Sequence, residues 1–297
     1  MRIYVVTDME GVAGLMDSDN WCHAPSEAHP GHYYELGKQL LTEETNAVVD
    51  GLCEAGDDDI VVADGHGAGG INPLLLDRRA KLMRGCPEGW PCGLDPSYDA
   101  VVWVGQHAKA CTPYAHLAHT QSMRYIDLSI NGVSIGEFGQ LALCAGELGI
   151  PGIFVAGDEA FCREAQALVS GIVTVAVKQG RQPDPGRDLH LVAYAHHNLS
   201  AVHMHHSVAC EAIRVQAKAA LIQFIAAGKH GNVLRLEPPY ERVTLLRPDK
   251  PGEPVLIDRA MHASSVIAVM NMPMTPQPCL TPPPAWPGGP RAHAGGR

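Results

Sequence analysis

Three continuous apolar runs, each closing on polar residues and each set apart by a stretch long enough for a helix, constrain this chain more than any other feature. Residues 3–9 read IYVVTDM, residues 59–66 read DIVVADGH and residues 100–107 read AVVWVGQH. Runs that are apolar and β-branched at successive positions suit strands buried on both faces, which is the pattern of a parallel sheet covered by helices. Residues 33–55 carry helical periodicity between the first two runs, so the chain opens on a βαβ unit. A fourth run, IPGIFVAGD at 150–158, follows a helical segment that begins at Glu137. Within YIDLSINGVSIG, the dipeptide Asn131-Gly132 signals a type I′ hairpin and adds a local antiparallel pair. The expected fold class is therefore α/β, a largely parallel sheet flanked by helices, with a smaller C-terminal α+β unit and a disordered tail.

The boundaries follow from composition along the chain. Residues 173–177 (VTVAV) read as a further strand, and residues 200–227 have few breakers and read as one or two helices. Beyond them RVTLLR, PVLID and SSVIAVM read as short strands between proline-rich turns. Eight prolines fall between Pro273 and Pro290, a composition that cannot build a packed core. The expectation is a catalytic α/β domain over 1–195, a smaller unit over 196–270 and a Pro-rich tail over 271–297.

Charge excludes one class of partner. Basic residues number 22 against 32 acidic, a formal net charge of -10, so no phosphate-neutralising surface is implied and nucleic acid is not an expected partner. No stretch reaches the 18 or so unbroken apolar residues of a membrane helix, and residues 1–11 lack the apolar core of a secretory signal. The expectation is a cytoplasmic protein with no membrane partner. The nine cysteines lack regular spacing and several sit inside apolar runs, so free buried thiols are expected, and Cys86 and Cys92 are spaced too widely for a zinc knuckle.

The chemistry lies where the runs end. Alternation along the first strand places Asp8 and Glu10 on one side, where two close carboxylates are most simply reconciled by a cation. Taken alone, they read equally as solvated loop carboxylates. The second run ends at His66 and the third at His107, and in an open parallel sheet the carboxyl ends of neighbouring strands converge. Glu137 opens its helix, where a first-turn glutamate is ordinary on helix-dipole grounds, yet it completes a mixed carboxylate–imidazole set of the kind that holds two metal ions. Asp8, Glu10, His66, His107 and Glu137 are the candidate ligands. Zinc is the first expectation, with Mn2+ or Co2+ also compatible, because no thiolate discriminates among them.

The segment HAKACTPYAHLAHT adds His116 and His119, either of which could move protons near neutral pH. Cys111 lacks the partners of a thiol nucleophile. The cluster HHNLSAVHMHH at 196–206 has no His-Glu-x-x-His pattern and stays outside the site.

At this point the sequence resembles the DppA-type D-aminopeptidase family of zinc metallopeptidases. The strings TDMEG, LTEETNAVV, DGHG, GQHAKACTP with its trailing AHT, and NGVSIGEFG stand in the family's order, and the resemblance extends over residues 1 to about 180. It implies that Asp8 bridges two zinc ions per chain, that Glu10 and His107 complete one site, and that His66 and Glu137 complete the other. It implies His119 as the catalytic histidine, with His116 as a competitor. The implied activity is hydrolysis of short peptides with release of amino-terminal D-residues, water activated by metal attacking the carbonyl while a histidine assists. The implied assembly is a ring-shaped homo-oligomer. Two readings remain beside it: a two-metal hydrolase of another small amide or phosphoester, and a non-catalytic metal-stabilised assembly protein.

Overall fold

A computed structural model describes residues 1–56, 59–86 and 88–279. The first strand, β1 (Arg2–Thr7), is followed by a short α1 (Ser18–Trp21), the long α2 (Tyr34–Glu54) and β2 (Asp59–Asp64), which pairs parallel to β1. This is the βαβ unit expected from the periodicity. Next come β3 (Ala80–Arg84) and β4 (Ala100–Gln106), then the hairpin of β5 (Tyr125–Ile130) and β6 (Val133–Ser134). At its tip Asn131 and Gly132 both take positive φ, 50° and 77°, as a type I′ turn requires. Then follow α3 (Glu137–Leu148), β7 (Gly152–Asp158), α4 (Glu159–Leu168) and β8 (Val173–Gly180). The chain continues through α5 (Leu191–Ala195), β9 (Ala201–His203), α6 (His206–Ala226), β10 (Tyr240–Leu246), β11 (Leu256–His262), α7 (Val266–Asn271) and β12 (Gln277–Pro278).

Seven strands form the main sheet in the order β3-β2-β1-β4-β7-β8-β9, and every pair except β8–β9 is parallel. Alternation along β1 sends Ile3 and Val5 into one core, with Leu41, Val48 and Leu52 of α2 and Ile213 and Leu221 of α6. It sends Tyr4 into the other, with Phe138 and Leu141 of α3 and Phe161 and Ala165 of α4. Helices thus cover both faces, which is why the strands are apolar throughout. The second sheet, β12-β11-β10-β5-β6, is antiparallel. It packs Leu128 and Ile130 against Leu143 and Cys144 on the far side of α3, so α3 is buried from two directions and reads as almost wholly apolar.

The strands expected in a separate unit after residue 195 pair with β5 from before it, and α6 packs in the same core as α2. The segment SSVIAVM, expected as a strand, is a helix. Ser265 caps it by accepting from Ala268 N, and Glu147 accepts from the free Val266 and Ile267 N–H groups at its start. Cys86 and Cys92, expected as thiols, are joined in a disulfide. Of the expected tail, residues 271–279 are ordered enough to contribute β12, and residues 280–297 lie outside the described residues. Among the described residues no helix is long and apolar enough to cross a membrane.

Candidate metal centre

Parallel register brings the ends of β2, β1 and β4 side by side, with Thr7 opposite both Asp64 and Val104. β1 stops at Thr7, so Asp8 and Glu10 are placed by the turn that follows rather than by strand alternation. That turn crosses directly over β4: Asp8 N donates to Val104 O and Gly11 N to Gly105 O. Gly105 has φ +73°, and a Cβ there would sit 2.0 Å from the Asp8 carbonyl oxygen. Glycine is needed for both the conformation and the approach.

Asp8 is the hinge of the arrangement. Its Oδ1 lies 3.0 Å from His66 Nδ1 and its Oδ2 lies 3.1 Å from His107 Nε2. Glu10 Oε2 stands 3.2 Å from the same His66 Nδ1. On the other side Glu137 Oε1 lies 3.5 Å from His107 Nε2 and 3.9 Å from His119 Nε2. Two groups result, Asp8 with Glu10 and His66, and His107 with His119 and Glu137, each with its donor atoms within 4.8 Å of one another. Glu10 therefore keeps company with His66 and Glu137 with His107, the reverse of the pairing implied by the resemblance.

The imidazoles are oriented from behind. His66 Nε2 donates to Cys22 O at 2.7 Å, His107 Nδ1 to Ala108 O at 2.9 Å and His119 Nδ1 to Leu117 O at 2.9 Å. Each ring is thereby held in the tautomer whose other nitrogen faces the carboxylates. A bare lone pair aimed at a carboxylate is unfavourable, so either a proton or a cation must stand between them. Glu10 Oε2 and His107 Nε2 are both buried without a hydrogen-bond partner. Oriented nitrogen and oxygen donors left open to one another fit a bound divalent metal.

The ionisation of these side chains follows from how closely they face one another. Burial opposes charge on His66 and His107, but Glu10 and Asp8 beside the first, and Asp8 and Glu137 beside the second, outweigh it and hold both well above the usual imidazole range. Burial likewise works against ionised Asp8, Glu10 and Glu137, yet the facing imidazoles keep all three below the usual carboxylate range. The carboxylates are anionic at neutral pH, as metal ligands must be.

His116 lies apart. It is fully buried, its Nε2 meets Met16 O at 3.1 Å and its ring meets that of His203 edge-on at 5.3 Å. Of the 196–206 cluster, His203 Nδ1 accepts from Gly14 N, and His206 pairs with Glu43. Neither joins the centre. Two residues that the sequence did not flag support it. Gln106 donates to Asp8 Oδ2 at 2.8 Å, and buried Lys178 donates through Nζ to the Glu10 carbonyl. Gln106 stood in the GQH string and could have been read as the residue before a ligand. Lys178 sits on β8, far along the chain, in the string TVAVKQG, which belongs to the resemblance but holds no ligand that would single the lysine out.

A largely parallel sheet covered on both faces, with a two-part carboxylate–imidazole cluster at its carboxyl edge, defines an α/β protein with a candidate metal centre. The D-aminopeptidase family model matches residues 1–249, and the chain belongs to this family. That match runs well past the region where the motifs are recognisable by eye. A D-aminopeptidase of Bacillus subtilis (strain 168) is 32% identical over 184 residues, 60% of this chain and 64% of its own length. The chain thus matches just under two thirds of that relative. A solved structure, described as Zn-dependent D-aminopeptidase DppA from Bacillus subtilis, a self-compartmentalizing protease, superposes with a TM-score of 0.72 at 21% identity. It covers 91% of this chain and 94% of that one, and it shares the fold.

Proposed function

We propose that this protein is a dinuclear zinc aminopeptidase that hydrolyses short peptides and releases amino-terminal D-residues. The observation that carries the reading is the division of Asp8, whose two oxygens face different imidazoles and so can serve two ions at once. Asp8, Glu10 and His66 would hold one ion, and Asp8, His107 and Glu137 the other, both carboxylates lying within 3.5 Å of His107 Nε2, with Gln106 fixing the shared carboxylate. Bound zinc would supply Lewis acidity to the scissile carbonyl and ease deprotonation of water. Mn2+ or Co2+ would suit the same nitrogen and oxygen donors.

The remaining work falls to His119. Its side chain is 13% exposed, against 6% for His66 and 1% for His107, so it is the most accessible of these three imidazoles. With Nδ1 committed to Leu117 O, Nε2 is free to take a proton from the attacking water and return it to the leaving amine. The preference for D-residues rests on the family and on the D-aminopeptidase activity by which both relatives are described. A ring-shaped homo-oligomer in the cytoplasm, enclosing the centres and admitting small substrates, accords with the self-compartmentalizing relative.

The test is metal content of the protein purified without chelator, joined to hydrolysis of D-Ala and L-Ala para-nitroanilides and dipeptides. Close to two metals per chain with turnover of the D-substrates supports the reading. Two metals with no amide turnover point to a hydrolase of another bond, and active protein without metal overturns the mechanism.

A further inference from the structure

Glu164 lies on α4, outside both ligand groups, yet it joins two of their members. Its Oε2 accepts from Lys109 N at 2.9 Å and its Oε1 from Gly136 N at 3.1 Å. Lys109 follows His107 by two residues, and Gly136 is the residue before Glu137 and the N-cap of α3. One carboxylate therefore ties the loop that carries one ligand to the helix start that carries the other. Gly136 has no side chain to cap α3, so Glu164 supplies the acceptor at that helix start, and Lys109 Nζ adds a second tie by donating to Ser134 O at 3.1 Å. The separation of the two ligands along the chain, from 107 to 137, makes such a tie useful, since neither local turn fixes the distance between them. Glu164 also forms part of the wall of a cavity of about 730 Å³ with Lys109, Ser134 and Arg163, so the tie sits between that open space and the centre.

We infer that Glu164 is a positioning residue for the second metal site, setting the spacing of His107 and Glu137 through the backbone on either side of them. The inference rests on the reading of the centre as two metal sites. Its logic is that of groups behind metal ligands in general: they touch no ion, but they fix the geometry the ion requires, and their loss typically costs 10–100-fold in metal affinity. A carboxylate can accept both N–H groups, whereas a glutamine of the same shape offers one oxygen and turns a donor toward the other amide. Glu164→Gln thus removes one arm of the clamp without changing its volume. Glu164→Asp retains both acceptors at shorter reach.

The experiment dialyses the purified full-length protein against graded chelator and counts metal per chain, for wild type, Glu164→Gln, Glu164→Asp and Glu159→Gln. Glu159 is on the same helix and pairs with Arg163, so its variant controls for lost charge on α4. The expected result is that Glu164→Gln gives up one of two ions at about 10–100-fold lower chelator while the other stays as in wild type. Cobalt-substituted Glu164→Gln should lose about half of its visible absorbance under the same conditions, kcat should fall with KM little changed, and Glu164→Asp should lie between. If Glu164→Gln fails to fold, an intermediate loss of one ion from folded Glu164→Asp supports the inference and wild-type retention overturns it. Wild type with two ions and a folded Glu164→Gln that keeps both overturns the inference alone. Wild type holding no metal overturns the reading of the centre and this inference with it.

Discussion

The rings of His107 and His119 stack face to face, with centroids 3.9 Å apart and planes 14° from parallel. The two imidazoles are nevertheless not equivalent. His107 Nε2 faces both Asp8 and Glu137, whereas His119 Nε2 faces only Glu137, and from 3.9 Å.

That difference predicts distinct losses. His107→Ala should release metal from the second site and abolish turnover. His119→Ala should keep close to wild-type metal content while kcat falls by about 10²–10⁴-fold, the range over which a positioned proton carrier acts. Metal analysis beside steady-state kinetics checks both, and metal lost equally in the two variants would make His119 a ligand rather than a proton carrier.

Gln106 supplies a second prediction. It is buried and spends its amide N–H on Asp8 Oδ2, the oxygen that also faces His107. Gln106→Leu keeps the size and removes the donor, so Asp8 is free to rotate away from the shared position. Metal affinity should fall roughly 10–100-fold, and the melting temperature should fall with it, because a buried carboxylate oxygen loses a donor. Chelator competition measures the first effect and thermal unfolding the second.

What could be read from the chain, and what could not, divides along physical lines. Strand ends that carry Asp8, His66 and His107 announce themselves because continuous apolar runs fix where parallel strands stop. The edge strand β3 does not, since AKLMR is half-exposed and never needs an apolar pattern. The hairpin at Asn131-Gly132 was legible because only a few residue types tolerate two successive positive φ angles. That its strands would pair with β10 was not, for nothing local encodes a partner more than 100 residues away. The same reason hid Lys178 and Glu164, which act on the centre through backbone groups and so need no motif. The α7 segment misled because its apolar run is as short as a strand, and the deciding interaction is a cap from Ser265 assisted by distant Glu147.

A third prediction concerns Gly105. Alanine there must hold a positive φ and place its Cβ 2.0 Å from the Asp8 carbonyl oxygen, so the crossing of the first turn over β4 has to open. Gly105→Ala should lower stability by at least about 3 kcal/mol, read as a shift of the urea midpoint, because strain and backbone overlap add. Metal binding should weaken with it, as Asp8 and Glu10 ride on the displaced turn.

The pH dependence of folding gives the last prediction, from two imidazoles outside the centre. Burial first, and then the nearby Lys178 charge, push His116 down to about 2 and His203 to about 4. Both are neutral in the fold at pH 5, while in the unfolded chain each takes up a proton below about 6.5. Stability from this source is therefore whole above pH 6.5 and is lost as pH falls, down to about 4 for His203 and on toward about 2 for His116. Each open window corresponds to one proton bound on unfolding, a slope of about 1.4 kcal/mol per pH unit for the fully buried His116 and less for half-buried His203. His203→Asn tests this, because its side-chain oxygen can still accept from Gly14 N but does not titrate. Measured against wild type with the same metal content, so that acid loss of metal affects both alike, the variant should lose stability less steeply between pH 6.5 and 4 and match the wild-type slope above 7. Equal slopes throughout would show that His203 carries its proton in the folded protein.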